Sequence, residues 1–146
     1  KGLIDLDGSG SITINDAKLL FDSDDFDSDG DGMSNFMERA FGGDSLSSDA
    51  KTTLPRSIRQ KDGKQRITFQ QYSTEYNSEG IEYIVETSTD LRTWTTTGTT
   101  QVDLNGGDTG SGIDIGGGME RVLWETSGTA SSKGGKQFLR VRVRTK

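Results

Sequence analysis

QFLRVRVR, residues 137–144, alternates apolar and basic side chains through its second half. Along a β-strand successive side chains point to opposite faces, so Leu139, Val141 and Val143 fall on one face and Arg140, Arg142 and Arg144 on the other. A helical period would scatter the same residues around a cylinder. The stretch therefore predicts a strand with one buried and one wet face, the habit of antiparallel sheets.

The same period recurs upstream. QRITFQQY (65–72), IEYIVETS (81–88) and MERVLWET (119–126) read as strands, and RSIRQ (56–60), RTWTT (92–96), TTQVD (99–103) and GIDIG (112–116) as shorter ones. No helical crossover separates them. Seven or eight short strands of this kind predict a mainly β chain, an antiparallel β-sandwich over residues 56–146.

Before Pro55 the character changes. Residues 1–49 carry 12 acids and 3 bases, and residues 50–146 carry 11 acids and 14 bases, so the net charge of −6 is concentrated in the head. This split reads as a cation-binding head, residues 1–43, a linker over 44–55 with Gly42 as a helix stop, and a near-neutral body over 56–146. No basic patch interleaved with aromatics is present, so nucleic acid is not an expected partner.

Composition removes much chemistry. Among 146 residues there is no cysteine and no histidine, which excludes disulfides, thiolate nucleophiles, histidine acid–base catalysis and ordinary zinc sites. No apolar run is long enough to span a bilayer, so membrane insertion is not expected. The chain starts at Lys1 rather than Met, and we expect a piece of something longer, acting as a monomer beside a preceding domain.

The head holds two acidic repeats. In DSDGDGMSNFME (27–38), Asp27 at position 1 places Asp29 at 3, Asp31 at 5, Gly32 at 6, Met33 at 7, Asn35 at 9 and Glu38 at 12. This is the ligand spacing of a calcium loop, in which position 6 needs a sharp turn, position 7 gives its carbonyl and position 12 returns a carboxylate from the following helix. A register starting at Asp25 would put Phe36 at position 12 instead. DLDGSGSITIND (5–16) fits the same frame with Asp5, Asp7, Ser9, the Ser11 carbonyl, Thr13 and Asp16. Two calcium ions are expected. Each loop runs into a short apolar stretch, and in the second Phe36 with Ala40 and Met37 with Phe41 are spaced as one helical face requires.

Only DSDDF separates Phe21 from Asp27, so each repeat is loop then helix. The pair resembles the tandem calcium repeats of dockerins over about residues 3–42, and the second loop also resembles the DxDGDGxSNxxE repeats of large secreted bacterial proteins. Ser34 stands at position 8, where the first loop has Ile12. The stretch YIVETSTDLRTW (83–94), with the closing QFLRVRV, resembles the carboxy-terminal β-domains that follow such repeats, which look fibronectin- or immunoglobulin-like. The resemblance implies an extracellular or cell-surface setting and no catalytic residues.

We therefore expect a non-catalytic, calcium-binding structural or adhesion module at the carboxy-terminal end of a secreted protein. Two alternatives are a carbohydrate-binding module, for which Trp94 and Trp124 would supply stacking faces and the arginine ladder a grip on acidic polysaccharide, and dockerin-like docking through Phe36 and Phe41. Core packing for the tryptophans and a solvated sheet face for the arginines are the plainer readings. Glu82 and Glu86 are the carboxylates a glycosidase reading would reach for, but nothing in the sequence isolates them as an acid–base pair. NGGDTGSGIDIGGG (105–118) fits no phosphate-loop pattern and reads as a loop.

Overall fold

The computed structural model describes residues 24–44, 46–59, 62–104, 110–129 and 135–146. The first repeat, Asp5 to Asp16, lies outside them, as do residues 105–109 of the glycine-rich stretch. The chain divides into two compact units, Lys1–Thr53 and Leu54–Lys146.

In the first unit the acidic loop leads into helix α1, Asn35–Phe41. Ser34 starts it: its backbone is extended and its Oγ accepts the Met37 N–H at 3.2 Å, satisfying one of the donors that a helix start leaves open. Gly42 ends it in the left-handed region at φ 75°, and its N–H returns to the Glu38 carbonyl. The chain entering the loop is held beside the chain leaving it, since Asn35 N–H donates to Phe26 O at 2.7 Å and Phe36 N–H to Asp24 O at 3.0 Å. Ala40 and Phe41 are buried, whereas Phe36 and Met37 are half-buried. A second helical turn, α2, spans Ala50–Thr53, within the stretch whose composition reads as a linker.

In the second unit every strand pairing among the described residues is antiparallel, and one 3-10 turn, Thr74–Tyr76, joins two of the strands. Its strands are β1 (Arg56–Arg59), β2 (Gln65–Tyr72), β3 (Ile81–Ser88), β4 (Thr99–Val102), β5 (Ile113–Gly116), β6 (Met119–Thr126) and β7 (Phe138–Thr145). One sheet runs β1, β2, β6, and the far edge of β6 is shared by β4 along its second half and β5 along its first. The other sheet pairs β3 with β7. The three eight-residue strands read from the period-two pattern are present with the same bounds. RTWTT is not a strand: it touches β3 only through the isolated Thr87–Thr95 bridge.

Phe69 on β2 and Tyr83 on β3 join the two sheets, their rings 6.0 Å apart and 22° from parallel. Tyr83 Oη also accepts the Tyr72 N–H at 3.2 Å, and burial pushes its phenol up to about 12. Ile67, Val85, Val122 and Leu123 complete a small core. The alternation in QFLRVRVR holds, but its apolar face is less buried than expected. Leu139, Val141 and Val143 are half-buried, while Ile81 and Val85 on the partner strand are 2% and 3% exposed. Both strands of this two-stranded sheet have one paired neighbour among the described residues, and β3 gains one further bridge, from Thr87 to Thr95.

Candidate metal centre

The acidic loop is folded by its own carboxylates. Asp27 Oδ1 accepts the Gly30 N–H and Oδ2 the Gly32 N–H, both at 2.8 Å, while Asp29 Oδ1 takes the Asp31 N–H at 3.1 Å and Asp31 Oδ1 the Met33 N–H at 3.0 Å. Each bond closes a local turn. Gly32, at position 6, stands at φ 97°, a backbone state that a side chain would strain.

This wrapping brings carboxylates together in two groups. Asp27, Asp29 and Asp31 each bring an oxygen within 4.8 Å of the others, and so do Asp31, Glu38 and Asp49. Of the four carboxylates expected to close one cage, the structure thus gathers Asp27, Asp29 and Asp31, and places Glu38 instead with Asp31 and with Asp49, eleven residues further on. Met33 is buried at 1% exposure. Asn35 Oδ1 accepts from Ser28 Oγ at 2.9 Å, so the position-9 side chain is held by its own loop.

Glu38 carries the sharpest anomaly. It is 1% exposed, and neither carboxylate oxygen has a hydrogen-bond partner. A buried ionised carboxylate without donors is costly, and native folds rarely leave one uncompensated. Burial, reinforced by the charges of Asp49, Asp31 and Asp29, pushes Glu38 up to about 8. Asp29 Oδ2 is likewise buried without a partner, and burial is the chief cause holding Asp29 above the usual range. At Asp31 burial also pushes upward, but the N–H groups of Met33 and Ala50 outweigh it and the carboxyl lies below its ordinary value. A Cβ at Gly43 would overlap Glu38 Oε2 and meet Thr53 Cγ2 at 3.0 Å, so glycine keeps the space beside this carboxylate open.

The donor set is all oxygen and mostly anionic, which suits a hard divalent cation and not a thiophilic one. Glu38 with both oxygens buried and unpartnered, and Asp29 Oδ2 in the same state, fit such an ion beside the clustered carboxylates: it would supply the charge that no donor supplies.

The other tempting residues resolve differently. Arg140 lies 4.0 Å above the Trp94 ring, a cation–π contact that covers one face of the indole. Trp94 and Trp124 are both half-buried, and Trp124 Nε1 is buried without a partner. The arginine side of β7 is an ion-pair face: Arg140 and Arg142 both donate to Glu86 Oε1, at 3.1 and 3.3 Å, and Arg144 donates to Glu82 at 2.6 Å. Glu86 is only 7% exposed. A threonine- and serine-lined recess of about 250 Å³ lies near Thr87, Thr95 and Gln137. No helix among the described residues is long and apolar enough to cross a membrane.

The chain matches no known protein-family model, no curated protein and no solved structure.

Proposed function

We propose that this chain is a non-catalytic, calcium-clamped structural module of a secreted or cell-surface protein, its head ordered by calcium and its two sheets forming an immunoglobulin- or fibronectin-like sandwich. The observation that carries the reading is Glu38, buried and without hydrogen-bond partners at position 12 of a loop whose Asp27, Asp29 and Asp31 cluster. Calcium rather than magnesium suits a loop that offers several carboxylates, since magnesium keeps most of its water. The ion binds the folded head and not the unfolded chain, so it stabilises by mass action. Its role is to stiffen the junction with a neighbouring domain.

Two observations weigh against the alternatives. Arg140 occupies a face of Trp94 that a sugar ring would need. Phe41, required outside for docking, is 1% exposed, and Arg39 lies over Phe36 at 5.4 Å. The test is thermal unfolding of the full chain with calcium and with chelator, followed by amide exchange of residues 27–53. Calcium should raise the midpoint and protect α1; identical exchange in both conditions would remove the reading.

A further inference from the structure

We propose that Asp49 forms a second cation position with Asp31 and Glu38, separate from the one among Asp27, Asp29 and Asp31, with Asp31 shared between them. This rests on the calcium reading above and extends it to a two-ion cluster within one loop.

The grouping of the carboxylates carries the argument. In a single-ion loop Glu38 closes the same cage as positions 1, 3 and 5. Here the oxygen that Asp31 shares with Glu38 is shared with Asp49, while Asp27 and Asp29 belong to the other group. Oxygens around one calcium lie at most twice the bond length of about 2.4 Å from one another, so each triplet can bound one ion. Glu38 is the independent witness: at 1% exposure it faces Asp31 and Asp49 with both oxygens unpartnered. On the other side Asp29 Oδ2 is also buried and unpartnered, so each triplet holds an oxygen in need of a cation.

Charge points the same way. Asp27, Asp29, Asp31, Glu38 and Asp49 together carry five negative charges when ionised. One divalent ion would leave three uncompensated in a partly buried site, and two would leave one. Asp31 is suited to sharing, because its Oδ1 faces the Met33 N–H and its Oδ2 the Ala50 N–H, and an ionised carboxylate has about four lone-pair sites to divide among partners. The ligand is a hard divalent cation of calcium's size, with water filling the remaining coordination.

Calcium titration of the full chain by calorimetry and equilibrium dialysis tests this against Asp49→Asn, which keeps a carbonyl oxygen to accept the Asp44 N–H. Asp49→Asn should bind one ion fewer than the parent and keep the ion whose affinity falls in Asp27→Asn. An unchanged ion count in Asp49→Asn overturns the second position while leaving the calcium reading intact; no binding by the parent overturns both. Crystals of the parent chain soaked in terbium give a measurement independent of any variant. Anomalous maps should contain two peaks flanking Asp31, and one peak touching Asp27, Asp29, Asp31 and Glu38 together overturns the proposal.

Discussion

Ala50 donates its backbone N–H to Asp31 Oδ2 at 2.9 Å, tying the first residue of α2 to the middle of the acidic loop nineteen residues earlier. The bond ends on a carboxylate, and such charge-assisted bonds contribute about 1.5–3 kcal/mol. Ala50→Pro deletes the donor at a first helical position, where proline is otherwise tolerated. We expect Ala50→Pro to destabilise the head by about 1–3 kcal/mol in denaturant titrations, and a stability within about 0.5 kcal/mol of the parent would show the tie to be idle.

Metal-free protein should have an unusual pH response. Glu38 rises from 4.5 to about 8 in the folded head, so the folded state binds more protons than the unfolded one between those values. Stability then falls as pH rises through that window, the reverse of the usual behaviour of a salt-bridged carboxylate. With chelator present, the head should melt lower at pH 8 than at pH 5.5, and Glu38→Gln should flatten the difference. Calcium should do the same, because it favours the ionised carboxylate.

Removing one carboxylate from the loop should cost affinity more than fold. Asp27→Asn keeps one carbonyl oxygen but loses a charge, and we expect at least a tenfold weaker site, equivalent to about 1.4 kcal/mol. Calorimetry reads this directly. An unchanged isotherm would exclude Asp27 from coordination.

Glu86 is held by two arginines from the facing strand, with Arg140 directly opposite in register. Burial opposes its ionisation, but the Arg142 and Arg140 hydrogen bonds prevail and hold its carboxyl below the ordinary value. A depressed carboxylate contributes stability above 4.5 that is lost as pH falls through its folded value. Arg142→Ala should destabilise the β unit modestly, and the double variant Glu86→Ala, Arg142→Ala should cost less than the sum of the single changes. Strict additivity would mean the pair is not coupled.

The turn between β5 and β6 offers a contrast of neighbours. Gly117 and Gly118 both have positive φ, as a two-residue hairpin of type I′ requires. A Cβ at Gly117 meets nothing within 4 Å, whereas one at Gly118 would meet Tyr76 at 2.8 Å. Gly117→Asn should therefore be nearly neutral, and Gly118→Ala should cost about 1–2 kcal/mol or more, since backbone strain and collision combine. Equal midpoints for the two variants would contradict this.

The strands were legible because their side-chain period is a local property: QRITFQQY, IEYIVETS and MERVLWET carry enough β-branched and aromatic residues to report it unaided. RTWTT has the composition of a strand but only one bridge, at Thr95, because the Asp90 carboxylate binds the Arg92 and Thr93 N–H groups and curls the chain into a turn. In the head, spacing pointed to Asp27, Asp29, Asp31 and Glu38, of which the structure gathers the three aspartates and sets Glu38 beside Asp31 alone of them. Asp49 escaped because it lies outside the twelve-residue frame, in a polar stretch whose composition is that of a linker. Its only sequence signal is an acid directly before the short helical run at Ala50. The contact between Arg140 and Trp94 joins residues with no spacing rule to relate them.

Among the described residues β7 is paired on one side only, which has a further consequence. A strand with an unpaired row of backbone donors and acceptors is a template on which another copy can pair, and β7 is eight residues long. Arg140, Arg142 and Arg144, exposed along one face, would set like charges side by side in any copy added in register. Replacing the arginines that hold Glu86 and Glu82 with threonine should therefore leave a β-prone, uncharged border more open to self-association, which light scattering of the triple variant would read.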